Sequence, residues 1–259
     1  MLVTGKNNVP FIQSSFLRSV PHGFFTRQGG VSSGMYTSLN CCMRDDDLVG
    51  NVLKNRHLAL ESLSLEQKTL AILKQIHGKK VMIVDDDWDP EKIIEADAFV
   101  TCSSSFVLGI QTADCVPVLL ADTQHRVVAA VHAGWRGALA GVVEETLKVM
   151  IALGATKETL LAAIGPAIAQ KSYEVGPEVY QMFLDKNPEN SNFFKVYTSS
   201  AYTHLDLPGY VESLCVGAGI QVERLPYDTY TDPQLFFSCR RAQHEKASNF
   251  GGHMSFIAL

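Results

Sequence analysis

The stretch QTADCVPVLLADTQHRVVAAVHAGWRG, Gln111 to Gly137, holds two apolar runs, VPVLLAD and RVVAAVH, joined by a short polar turn carrying His125. Runs of this length, rich in Val, Leu and Ala and bounded by turn residues, predict two strands paired as an antiparallel hairpin. Cys115 opens the first run and His132 closes the second, so the hairpin brings a thiol and an imidazole to the same end. The Gly-Trp-Arg-Gly turn that follows leads into the clearest helical pattern of the chain. Leu139, Val142, Val143, Leu147, Met150 and Ile151 recur at helical spacing, with Glu144, Glu145 and Lys148 on the opposite face.

Working outward, TLAILKQIHG, KKVMIVD, ADAFVT and FVLGIQ read as further strands upstream, and TLLAAIG, IQVERLPYD, QLFFSC and MSFIAL as strands downstream. Helices are predicted from Asn51 as N-cap through about Leu63, from Pro177, and from Asp206-Leu207-Pro208, where an aspartate cap precedes a first-turn proline. Several strands follow one another without an intervening helix, so strict β-α-β alternation fails. The pattern predicts an α+β fold, one domain over residues 1–259 with mixed sheets flanked by helices. No repeat, low-complexity tract or linker interrupts it.

The chain has 259 residues and a formal net charge of -5, which gives no basic footprint for a phosphate backbone, and nucleic acid is not an expected partner. No window approaches the roughly 18 apolar residues of a membrane span, and the first residues lack the pattern of a signal peptide; the expectation is a cytoplasmic protein with no membrane partner. Six cysteines, none in a Cys-x-x-Cys pair, are too sparse for a disulfide framework and are expected to be reduced.

Cysteine and histidine are the usual ligands of zinc, and a catalytic zinc takes three protein ligands with one position open. With Cys115 and His132 at one end of the hairpin, His77 is the candidate third ligand, since it too ends an apolar run and precedes a glycine. The three positions lie far apart in sequence, and a strand cysteine is ordinarily an inert core residue, so spacing alone leaves a core reading open. The start of the helix after His132, together with Arg136, offers an anion site, with a plain strand-to-helix connector as the alternative. His57, His125 and His204 read as surface residues, and Cys41 and Cys42 as packing. The acidic runs Arg44 to Asp47 and Asp85 to Asp89 read as solvated loops without calcium-loop spacing.

The ordered set TRQGGVSSGMYTSLN, KQIHGKKV, ADAFVT, TADCVPVLLAD, AAVHAGWRG, AAIGPAI, YEVG and YTDPQLFFSCRR resembles the YfiH-like polyphenol oxidase, or laccase-domain, family from about Gly23 to the C-terminus. The resemblance implies a zinc site on His77, Cys115 and His132, which would also be the catalytic residues. It implies a purine nucleoside phosphorylase acting on adenosine, inosine or guanosine with phosphate, with adenosine deaminase and methylthioadenosine phosphorylase activities. The laccase name reflects a copper-dependent phenol oxidation, so copper is the alternative metal. Arg27, Asn40, Gln75, Asp114 and Arg136, from the same motifs, are expected to contact substrate, Arg27 and Arg136 through phosphate. Three further readings remain: a hydrolase in which His132 activates Cys115 as nucleophile, a copper oxidase, and a binding protein with a structural zinc.

The sequence also departs from the family pattern. Asp228-Thr229 stands where Cys-Thr is usual, Cys239 replaces a tyrosine, CCMRDD replaces a Gly-Asp, and the last loop carries His253 near the position of a usual arginine. Substrate contacts from the C-terminal loop are the part of the pattern these changes put in question.

Overall fold

A computed structural model describes residues 1–43, 46–197 and 202–259. Two six-stranded mixed sheets form the centre. The first runs in the order Leu2–Thr4, Pro10–Ile12, His22–Phe25, His253–Ala258, Phe106–Thr112, Thr69–Ile72. The second runs Gln221–Arg224, Leu160–Ile164, Val116–Asp122, Val127–Ala133, Ala98–Thr101, Val81–Ile83. A small third sheet joins Glu174–Val175, Thr203–Leu205 and Phe194–Val196. Parallel and antiparallel pairs occur in both large sheets, as the succession of strands predicted.

Alternation along the strands explains the layering. Val127, Ala129, Val131 and Ala133 face a core shared with helices Val142–Ala152, Pro177–Lys186 and Leu207–Gly217, while Val128 and Ala130 face the layer between the sheets with Phe24, Leu108, Ile110, Phe99 and Leu119. The outer face of the first sheet packs Phe11, Phe25, Val107 and Phe256 against Ala59 and Leu60 of helix Val49–Ser62. The result is helix, sheet, sheet, helix. Because both faces of the hairpin are buried, its strands are continuously apolar rather than alternating.

The hairpin pairs Val116 with Ala133 and Pro117 with His132, as its sequence predicted. The helix after it begins earlier than expected and breaks: Trp135–Ala140 and Val142–Ala152 are separated by Gly141, whose φ of 99° is left-handed and readily adopted by glycine. Helix Val49–Ser62 starts before Asn51, with Leu48 at the N-cap and no side-chain cap; Leu53 points outward and Asn55 inward. QLFFSC is not a strand. Asp232 accepts the backbone N–H groups of Gln234 and Leu235, closing a turn that leads through the capping Ser238 into helix Cys239–His244.

His204 is buried in a strand, against the surface reading, and its Nε2 lies 3.6 Å from Glu174. His57, His125 and the aspartates of residues 85–89 are exposed, and Cys41 and Cys42 are buried. None of the six cysteines, all within the described residues, is joined in a disulfide. Arg44 and Asp45 of the first acidic run lie outside the described residues. Among the described residues no helix is long and apolar enough to cross a membrane.

Candidate active site and metal centre

Three chain segments deliver the site. His132 is the penultimate residue of strand Val127–Ala133, on the face that looks into the inter-sheet layer; Cys115 lies in the short connection before Val116; His77 follows strand Thr69–Ile72. The side-chain donor atoms of His77, Cys115 and His132 all lie within 4.8 Å of one another, the one such group of three among the described residues. The Cys115 Sγ to His77 Nε2 distance is 3.7 Å, and the two imidazoles meet edge to face with centroids 4.7 Å apart.

Asp97 organises this cluster. It is fully buried, its Oδ1 lies 2.8 Å from His132 Nδ1, and its carbonyl accepts the His132 backbone N–H at 2.7 Å. The same carboxylate accepts the backbone N–H groups of His77 at 2.9 Å and Gly78 at 2.7 Å. Those bonds hold His77 at φ 60°, a left-handed conformation rare for a residue with a side chain. One carboxylate thus orients one imidazole through its ring and the other through its backbone. Asp97 is absent from the sequence expectations, although ADAFVT carries the signal: an acid at the head of an apolar run, just before strand Ala98–Thr101, requires partners when buried.

Close packing fixes the neighbours. A Cβ on Gly134 would stand 2.6 Å from His77 Cδ2 and 3.3 Å from Cys115 Sγ, and one on Gly137 would stand 2.6 Å from the Gly78 carbonyl oxygen. Glycine at both ends of the Gly-Trp-Arg-Gly turn is therefore a matter of space for the His77 loop rather than of loose backbone.

The electrostatics favour a charged thiolate. Burial pushes the Cys115 thiol up, but the adjacent His132 charge and hydrogen bonds from both imidazoles outweigh it and bring the pKa to about 6. For His132, burial acts downward and is overcome by Cys115 and Asp97, which raise it to about 9. Burial likewise opposes ionisation of Asp97, yet His132 and the two loop N–H groups hold its pKa below the usual value.

The cluster opens on a cavity of about 630 Å³, a size suited to a small molecule. Leu73, Trp135, Ile168, Tyr173 and Phe250 supply apolar and aromatic wall; Gln75, Asp114, Arg136, Arg240 and Gln243 supply polar groups. Of the residues expected at substrate, Gln75, Asp114 and Arg136 reach this wall, while Arg27 and Asn40 do not line it. Gln75 is engaged with the backbone N–H and carbonyl of Gln111, and Asp114 accepts Thr229 Oγ1 at 2.6 Å and the Arg240 N–H at 2.8 Å. Arg27 donates to the carbonyls of Thr37 and Pro233 and lies 4.4 Å from the Phe237 ring. Asn40 is fully buried, tied to the backbone of Cys42 and Gly252 and to Asp47. The helix at Arg136 is six residues long, so what this corner offers an anion is chiefly the guanidinium charge.

The departures from the family pattern divide cleanly. Cys42 and Cys239 line the cavity and alter its wall. Asp228 instead accepts the Ala169 N–H and the Ser172 hydroxyl, and His253 is buried beside Phe237.

The family described as multi-copper polyphenol oxidoreductase laccase matches residues 21–259. A purine nucleoside phosphorylase of Rickettsia prowazekii is 34% identical over 230 residues, covering 88% of this chain and 91% of the relative. An adenosine deaminase, RL5, of an unknown prokaryotic organism is 30% identical over 250 residues, covering 92% and 95%. Among solved structures, the YfiH protein of Bacillus licheniformis superposes with a TM-score of 0.87 at 27% identity, covering 97% of this chain and 96% of the other. The extent of these matches, and the agreement in fold, place the chain in the laccase-like YfiH family.

Proposed function

We propose that the protein is a zinc-dependent purine nucleoside phosphorylase that releases the base and ribose 1-phosphate from adenosine, inosine or guanosine. The observation that carries this reading is a His-Cys-His cluster opening on a cavity of nucleoside size, in a chain 34% identical to a protein named for that activity.

The donor set fits zinc. Tetrahedral coordination with ordinary zinc–nitrogen and zinc–sulfur distances separates a nitrogen from a sulfur ligand by about 3.6 Å, against 3.7 Å between His77 Nε2 and Cys115 Sγ. His132 would bind through Nε2, because its Nδ1–H is directed at Asp97. When bound, zinc supplies Lewis acidity toward a substrate oxygen or a water, with three protein ligands leaving a position open.

The protein's own contribution is placement. Asp97 keeps both imidazoles in one orientation, and Cys115 carries negative charge at neutral pH. Trp135, Ile168 and Tyr173 offer flat and apolar surface to a purine and displace water from it. Arg136, stacked on Trp135 at 4.3 Å, offers positive charge to phosphate.

Metal-loaded protein incubated with inosine should release hypoxanthine and ribose 1-phosphate only when phosphate is present; no free base under those conditions rejects the reading. Deamination is the second activity, favoured by the relative named adenosine deaminase, and is read as ammonia released from adenosine without phosphate. Methylthioadenosine belongs in the same assay. Two histidines and a cysteine also suit a copper centre, which metal analysis and the visible spectrum of the copper-loaded protein distinguish. Rapid iodoacetamide labelling of Cys115 that a chelator leaves unchanged would favour the cysteine-nucleophile reading instead.

A further inference from the structure

Four arginines surround the cavity or its supports, and their hydrogen bonds sort them. Arg27 is spent on the carbonyls of Thr37 and Pro233, and Arg241 on those of Thr229, Tyr230 and Phe236. Arg240 and Arg136 are different. Arg240 lines the cavity, donates one Nη1–H to the Glu174 carbonyl at 2.7 Å, and stacks 5.2 Å from the Tyr173 ring centroid. Its Nε and Nη2 make no hydrogen bond among the described residues. Arg136 lines the same cavity, stacks on Trp135, and has no ion pair among the described residues. Lys74, the one lysine of the wall, is paired with Glu95 at 2.9 Å, and His132 with Asp97 at 2.8 Å.

Neither guanidinium group is ion-paired among the described residues, and the Cys115 thiolate of the wall is engaged with His77 and His132 instead. The wall's one carboxylate, Asp114, has both oxygens occupied by Thr229 and the Arg240 backbone. In a chain of net charge -5, an uncompensated cationic pair inside a cavity marks a place for an anion. Tyr173 supplies a third donor: its hydroxyl makes no hydrogen bond among the described residues. A phenol is protonated at neutral pH, and this one lies within electrostatic reach of both arginines.

Resting on the phosphorylase reading above, we propose that Arg136, Arg240 and the Tyr173 hydroxyl form a subsite for a phosphate dianion beside the His77, Cys115 and His132 cluster. The stacking of each guanidinium on an aromatic ring pre-orders it, so less side-chain freedom is lost when the anion binds. Arg240 thereby takes the phosphate role expected of Arg27. The phosphate is either free, as the second substrate of phosphorolysis, or carried on a nucleoside monophosphate.

Calorimetric titration of the full, zinc-loaded chain with inorganic phosphate, and separately with adenosine 5'-monophosphate, tests the subsite. Arg136→Gln and Arg240→Gln are each expected to weaken binding at least about tenfold, Tyr173→Phe about three- to fivefold, and Arg240→Lys less than Arg240→Gln. Comparable affinity for the two ligands identifies free phosphate as the occupant; at least about tenfold tighter monophosphate binding identifies an ester. Affinities for both ligands within about twofold of wild type in Arg136→Gln and Tyr173→Phe overturn the proposal, whatever the folding of Arg240→Gln. Nucleoside cleavage in the same samples separates the two claims. Cleavage with a phosphate KM indifferent to these substitutions removes the subsite and leaves the phosphorylase, whereas arginine-dependent phosphate binding without cleavage does the reverse.

Discussion

Two histidines of this protein are almost equally hidden, His132 at 3% and His253 at 4% exposure, and they are opposites in chemistry. His132 faces a carboxylate and a thiol, which overcome burial and favour its charged form. His253 has only backbone for partners: its Nδ1–H is directed at the Thr112 carbonyl and its Nε2 accepts the Phe237 N–H, with Arg27 and Arg241 nearby. Burial dominates there and lowers its pKa to about 3. Burial therefore does not tell a site histidine from a core histidine; the charge of the second partner does.

The sharpest way to break this contrast is to truncate each ring. His132→Ala should lose bound zinc and turnover together, and it also leaves Asp97 buried without its charge partner, a cost of about 3–5 kcal/mol in stability. His253→Ala should keep the metal while losing about 1–3 kcal/mol for each backbone group left unpaired. Metal analysis and urea unfolding read both. Retention of zinc in His132→Ala, or its loss in a folded His253→Ala, would erase the distinction.

A gentler change tests how the His132 partner works. Asp97→Asn keeps the size of the side chain but removes the charge, and should weaken zinc binding about 10- to 100-fold. Zinc competition with a chromophoric chelator measures it, and an unchanged affinity would make Asp97 a loop anchor alone.

How far these roles were legible in the sequence differs by residue. The hairpin was readable because both faces of its strands are buried, which leaves an unbroken apolar run, and its ends put Cys115 and His132 together. His77 was a candidate by its place before Gly78 and acquired its role from the family resemblance, because its approach depends on Asp97 drawing in the backbone N–H groups of residues 77 and 78. Arg27 and Arg136 carry the same charge in motifs of equal clarity, yet only one lines the cavity. The difference lies in which carbonyls lie within reach of the side chain, a property of the folded loops and not of local pattern. QLFFSC read as a strand because its apolar residues are contiguous, whereas the capping by Asp232 and Ser238 was the stronger local signal.

The His253 environment also makes a pH prediction. Its folded pKa of about 3 lies below the unfolded value of about 6.5, so between them the unfolded chain binds a proton that the native state does not. Stability should therefore fall as pH drops from about 6.5 toward 3, at up to about 1.4 kcal/mol per pH unit from this residue. His22, also lowered by burial, adds to the same slope, and Asp122, held at about 2 against the upward pull of burial by Thr159, Thr156 and His125, loses its contribution only below about 4. Urea midpoints between pH 4 and 6 should show a shallower slope in His253→Gln than in wild type; an identical slope would contradict the assignment. Smallest of all, Arg27→Gln should cost about 0.5–1.5 kcal/mol of stability through its lost carbonyl contacts, read as a lowered Tm.

The central claim is that His77, Cys115 and His132 hold one metal ion on which nucleoside turnover depends. Metal analysis of the purified protein beside its Cys115→Ala variant, with phosphate-dependent inosine cleavage followed in both, tests it most directly. The expected result is about one zinc per chain and turnover in the wild type, with both lost in the variant; turnover that survives without metal would contradict the account.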